Sequence, residues 1–125
     1  MIKILLLLNL VFISLYAKNL YKEKVYQEHF CKQLGGIMEY RLEDRTRVDC
    51  LIKTHAIEVD FAKKWAESIG QSLYYASKTS RKAAVLLIME DEKRDKKYLK
   101  RLENVSKEHG IDIWIINKDF EISFN

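Results

Sequence analysis

Asp49, Glu58 and Asp60 carry the most chemical promise in this 125-residue sequence. Each stands in an otherwise apolar stretch, RVDCL for Asp49 and AIEVDF for the other two, where strands are normally poor in acidic residues. Residues two apart on a strand point to one face, so Glu58 and Asp60 share a face. If the two stretches lie side by side, three carboxylates meet at one place. Oxygen-only clusters of this kind suit Mg²⁺ or Mn²⁺. Such an ion stabilises developing negative charge and lowers the pKa of a water molecule. The competing reading makes Asp49 and Glu58 ordinary edge charges. Glu39, on the preceding apolar stretch, is either a further ligand or the partner of Arg41 or Arg47 in a cross-strand ion pair.

Lys64, Ser68, Gln71 and Tyr75 follow at steps of 4, 3 and 4 residues, which on a helix makes one polar stripe. Lys64 would bring a positive charge near the carboxylates, Lys63 reads as surface, and a plain solvated face is the alternative for the whole stripe. His29, His55 and His109 lack metal-ligand spacing, and His55 is expected to fill space. Trp65 and Trp114 read as core. No glycine-rich phosphate loop, nucleophile elbow or zinc pattern occurs. The run DEKRDKKYLKR over 91–101 mixes both signs at helical spacing and reads as a solvated face, leaving Lys78, Arg81 and Lys82 as the better phosphate contacts.

The elements that must position these residues follow from periodicity. Residues 19–34 have apolar positions at Leu20, Val25, Phe30, Cys31 and Leu34 and stop at Gly35 and Gly36, which predicts a helix. Short strands are predicted at 37–42 and 47–52, joined by the turn EDRT, and a third at 55–61 with Ile57, Val59 and Phe61 alternating. A helix over 62–78 buries Ala62, Trp65, Ala66, Ile69, Leu73 and Ala76. The run AAVLLIM at 83–89 is apolar throughout and predicts a central strand buried on both faces. A charged helix over 91–109 ends at Gly110, and strands at 111–116 and 120–124 complete the chain. The first three strands are close enough for a meander, and the crossover through the second helix is long enough for a parallel connection. The expected fold class is therefore α/β, a single domain with a mixed β-sheet flanked by helices.

Residues 1–17 read as a signal peptide: Lys3, then ILLLLNLVFISL, then Ala17 at the cut. The run is short for a bilayer span and contains Asn9 and Ser14, although bulky Leu15 leaves an uncleaved anchor as the alternative. Cleavage would leave one exported domain, 18–125, periplasmic or secreted, with no stable membrane span. Its charge is mildly basic, because losing Lys3 from the 22 Lys and Arg still leaves an excess over the 18 Asp and Glu. Such a balance permits phosphate contact without demanding it. In an exported chain the only two cysteines, Cys31 and Cys50, are expected to form a disulfide rather than a metal pair. Cys50 follows Asp49 directly, so the bridge and the carboxylate would face opposite sides of their strand.

Taken together, an αβββαβ core with an acid on the second strand and an acidic pair on the third resembles the PD-(D/E)xK nuclease superfamily, which includes the restriction endonucleases and Holliday junction resolvases. RVDCL is similar to its first motif and AIEVD to its second. QSLYY is similar to the QxxxY pattern of the RecB-like branch, and the series RVDCL, EVDFA, KWAE and IGQSLYYA resembles a group of small bacterial proteins. The resemblance spans 39–88. It implies a restriction-endonuclease-like core and hydrolysis of DNA or RNA phosphodiester bonds with Mg²⁺ or Mn²⁺. Asp49 and Glu58 would be the metal ligands, with the Val59 carbonyl beside them, and Gln71 and Tyr75, with Arg47, would contact nucleic acid. Asp60 takes the slot where the family has lysine. Asp60 then either joins the metal site and admits a second ion, or leaves the lysine role to Lys64. A fold that has lost its chemistry and only binds nucleic acid or an envelope protein is the alternative function. A purely structural envelope protein is a third.

Overall fold

The computed structural model describes residues 18–125, and the signal peptide read at 1–17 lies outside the described residues. Helix α1 (Glu23–Gln33) is followed by β1 (Ile37–Arg41), β2 (Arg47–Leu51) and β3 (His55–Phe61). A short 3₁₀ turn (Ala62–Lys64) leads into α2 (Trp65–Thr79), and β4 (Lys82–Met89), α3 (Glu92–His109), β5 (Ile111–Asn117) and β6 (Ile122–Phe124) follow. The six strands form one mixed sheet in chain order. Strands β1 to β3 are an antiparallel meander, β3, β4 and β5 are parallel, and β6 returns antiparallel on β5. This is the α/β single-domain, mixed-sheet architecture that the periodicity predicts.

Strand β4 is buried at every position from Ala83 to Met89 because helices cover both sides. On one side Ala84, Leu86 and Ile88 pack with Ile57, Val59 and Ile116 against Tyr26, Phe30 and Cys31 of α1. On the other, Val85, Leu87 and Ile113 pack beneath α2 and Leu102 of α3. Helix α3 is capped by the Asp91 carboxylate on Arg94 N–H at 3.0 Å and closed by Gly110 in the left-handed region. Among the described residues no helix is long and apolar enough to cross a membrane.

The predicted disulfide is present: Cys31 of α1 and Cys50 of β2 are bonded, with Cα atoms 5.6 Å apart. Gly36 is needed beside it. A Cβ there would lie 2.7 Å from Cys50 Sγ and 2.8 Å from Cys31 Sγ, closer than carbon and sulfur can approach.

Helix α1 departs from its prediction. It begins at Glu23, four residues late, because Leu20 N–H and Tyr21 N–H donate to the Glu90 carboxylate, which also accepts from Tyr26 Oη at 2.6 Å. The buried face is Tyr26, Gln27, Phe30 and Cys31, whereas Leu20, Val25 and Leu34 are exposed. The last strand also starts two residues late, since Phe120 has a φ of 61° and belongs to the turn.

Candidate functional site

The β2–β3 ladder holds for Cys50 with Ile57 and for Leu51 with Ala56, then opens. At the opening the Asp49 carboxylate accepts Val59 N–H at 2.7 Å, replacing a backbone partner with a side chain. The Asp49 carbonyl is taken by Gln27 Nε2 of α1 at 2.9 Å, and the same amide nitrogen reaches Glu39 Oε1 at 3.2 Å. Glu39 lies opposite Asp49 in the β1–β2 register, between the pairs Met38 with Cys50 and Tyr40 with Val48, and its φ is 53°. A left-handed glutamate inside a strand is strained, and such strain persists only where surrounding contacts hold it, which is common at functional sites. The predicted alternative for Glu39, an ion pair with Arg41 or Arg47, is not formed. Its described partner is Gln27.

Alternation places Glu58 and Asp60 on one face of β3, as predicted, opposite Ile57, Val59 and Phe61, which sit in the α1 core. Both are nearly buried, at 5 % and 6 % exposure. The Glu58 carboxyl lies against those of Asp49 and Asp60, and Asp60 in turn meets Glu23 from the first turn of α1. Burial first, then the charges of Asp49 and Asp60, push the Glu58 carboxyl far above the usual carboxylate range. Asp60 is raised to about 7 by burial and the charge of Glu23, and Asp49 to about 6 by burial, against the opposing hydrogen bond from Val59. Glu23 is raised as well, by burial, with Lys64 pulling it down.

The structure thus brings Asp49, Glu58 and Asp60 together and adds Glu23 and Glu39, making a five-carboxyl cluster with Gln27 as its neutral donor. Among the described residues, however, no three such groups have donor atoms gathered into a ready coordination shell. The shell expected at Asp49, Glu58 and Asp60 is replaced by acids in mutual contact. Like charges that are buried without a cation neutralise themselves by holding protons. Even so, Glu58 Oε2 and Asp60 Oδ2 are buried with no hydrogen-bond partner. Native proteins seldom leave such atoms unsatisfied, and a cation is a partner of the right sign. The donor set, all oxygen and mostly carboxylate, fits Mg²⁺ or Mn²⁺.

The predicted polar stripe divides. Lys64, in the 3₁₀ turn, is exposed, and its charge acts on Glu23 at the rim of the cluster. Ser68 is fully buried with its hydroxyl on the Trp65 carbonyl. Tyr75 is buried with Val48, Leu51 and Ala56, over the region where β2 and β3 separate. Burial and the charges of Glu58 and Asp49 push its phenol up to about 12, so it remains a donor. Gln71 is exposed, and Arg47 is exposed at the hairpin beside Arg41. The single face expected of Lys64, Ser68, Gln71 and Tyr75 is not kept, because the helix turns its 68, 72 and 75 positions to the sheet and leaves 64 and 71 outside.

His55 lies on the face opposite Glu58. Its Nε2 is 2.7 Å from Asp112 Oδ2, its Nδ1 is 2.7 Å from Thr54 Oγ1, and its ring meets Trp114 edge-on. Glu23 and Gln27 were missed by sequence reasoning, although their four-residue spacing on α1, on the side of Phe30, marks them as one face. No protein-family model, curated protein or solved structure matches the chain.

Proposed function

We propose that the chain is an exported, divalent-metal-dependent phosphodiester hydrolase acting on DNA or RNA, with a restriction-endonuclease-like core. The observation that carries this reading is the pair of partnerless, buried carboxylate oxygens of Glu58 and Asp60 beside Asp49, where the β2–β3 ladder opens. The disulfide and the signal-like leader support export. The element order and the motif series support the nuclease class.

Asp49, Glu58 and Asp60 would hold the metal, with Glu23 and Glu39 at its edge. Bound there, Mg²⁺ or Mn²⁺ would supply the positive charge that a phosphodiester needs as it is attacked, together with an acidified water. The residues of the chain do the rest. Gln27 and Val59 fix Asp49 through its carbonyl and carboxylate, so its orientation is set before any ligand arrives. Five carboxyls face one nearby lysine, so a divalent cation would take the place of protons that the buried acids otherwise hold. A second ion would supply the charge that lysine provides in the family, which gives Asp60 a reason to stand in that slot. Lys64 at the rim would meet the phosphate as it enters, and Tyr75, which keeps its proton, would donate to an anionic oxygen.

The test is turnover of a labelled oligonucleotide with Mn²⁺ by the wild type and by Asp49→Asn and Glu58→Gln. Loss of at least a hundredfold in both variants is expected, and equal turnover in all three sinks the proposal. One observation favours a second reading: Asp60 in place of lysine adds negative charge where a phosphate must come. A binding module that has lost its chemistry would hold nucleic acid without divalent metal and form no product.

A further inference from the structure

A cleft of about 560 Å³ lies between the β1–β2 hairpin and the C-terminal end of α2. Its walls carry Arg41, Lys78 and Arg81, with Tyr40, Glu43 and Asp44 among them. Asp44 is already engaged: its carboxylate accepts Thr46 N–H at 3.0 Å, the Thr46 hydroxyl at 2.6 Å and the Tyr74 hydroxyl. Those bonds hold its carboxyl down to about 2. Asp44 stays ionised, with Lys78 nearby, so three cations, Arg41, Lys78 and Arg81, face two carboxylates, Asp44 and Glu43, and the cleft keeps a small positive excess. Arg81 is set in place by its Nη1 bond to the Ile52 carbonyl at 2.6 Å.

Tyr40 adds aromatic surface to the cleft wall, and Tyr74 stands at its edge, bonded to Asp44. Tyr40 is 40 % exposed and Tyr74 is 37 % exposed, with Lys78 Nζ 5.8 Å from the centre of the Tyr74 ring. None of the five clustered acids lines the cleft, but two residues link it to the cluster. Arg41 is two residues beyond Glu39 on β1. Tyr75, next to Tyr74 on α2, feels the charges of both Glu58 and Asp44. Cations interleaved with accessible rings are the surface that single-stranded nucleic acid requires, with phosphates on the charges and bases stacked on the rings. A duplex keeps its bases stacked inside and could use only the charges.

We propose that this cleft binds a single-stranded nucleic-acid segment and leads it to the acid cluster. The second half rests on the phosphodiesterase reading of that cluster, whereas the binding itself does not. The strand's phosphates lie on Arg41, Lys78 and Arg81, and a base stacks on Tyr40.

The experiment is fluorescence anisotropy of a labelled oligothymidylate of about twelve residues, within the usual site size of single-strand binders, in EDTA and over a range of salt. Compared are the wild type, the pair Arg41→Glu with Lys78→Glu, Tyr40→Ala, and a control pair, Lys96→Glu with Lys100→Glu, on the exposed face of α3. The cleft pair should weaken binding at least tenfold and reduce the slope of log K against log salt by about 1.4, the value for two phosphates deprived of their cations. Tyr40→Ala should weaken it at least fivefold, and the control pair by less than twofold. Equal weakening by the cleft and control pairs overturns the proposal, as does a duplex of the same length binding the wild type as tightly. Mn²⁺ titration without oligonucleotide keeps the two readings apart: strand binding with no metal uptake sinks the cluster assignment and leaves the cleft standing.

Discussion

Glu58→Gln is predicted to stabilise the metal-free protein at neutral pH. Glu58 is 5 % exposed, and burial together with Asp49 and Asp60 raises its carboxyl far above the ordinary 4.5. At pH 7 the folded chain keeps this group protonated, while the unfolded chain ionises it. A raised carboxyl therefore contributes stability that is complete below its unfolded pKa and is lost as the pH climbs toward the folded one. From about pH 4.5 to pH 7 the loss runs at about 1.4 kcal/mol per unit, so Glu58 costs the wild type about 3 kcal/mol at neutrality. Glutamine has nearly the same shape, never ionises, and can donate to Asp49 and Asp60. Urea unfolding in EDTA should find the variant about 2 to 3 kcal/mol more stable at pH 7 and equal to the wild type near pH 4.5. The wild-type profile should fall further over the same window because Asp49 and Asp60 are also raised, to about 6 and about 7. A variant that is less stable than the wild type by the same margin at both pH values refutes the reasoning, since Glu58 would then be acting as an ordinary packed side chain.

Reducing the Cys31–Cys50 bond, or replacing both cysteines by serine, is expected to cost about 3 kcal/mol, read as a fall in the urea midpoint; an unchanged midpoint would show that α1 is held by packing alone. Gln27→Leu leaves the Asp49 carbonyl without its donor and should cost about 1 to 3 kcal/mol and weaken Mn²⁺ uptake, whereas Lys24→Ala, one turn away on the exposed side of α1, should change neither; equal effects would remove Gln27 from the site.

Much of the frame is legible in the sequence because burial there is strongly patterned. AAVLLIM has no polar residue to offer water, so a strand covered on both faces is its natural state. Asp49, Glu58 and Asp60 stand out for the opposite reason, as acids where a strand has no ordinary use for them. Helix α1 is harder to read because the residues that set its phase answer to partners distant in sequence. Gln27 is buried for the Asp49 carbonyl and Tyr26 for Glu90, while Leu20 and Val25 are left exposed. Apolar periodicity scores those residues the wrong way round. The same applies to Tyr75 and Gln71. Both are polar and one turn apart, but only Tyr75 has the apolar ring that Val48, Leu51 and Ala56 can cover. The left-handed backbone of Glu39 has no local sequence signal, since nothing in IMEYR asks for it.

The central claim is that the buried carboxyls exist to hold a divalent cation, and calorimetric titration of Mn²⁺ into the oxidised protein at pH 7 tests it most directly. Micromolar binding with release of protons from the cluster is expected, lost in an Asp49→Asn and Glu58→Gln double variant that remains folded. Heat that is absent from the wild type, or that is the same in the double variant, would contradict it.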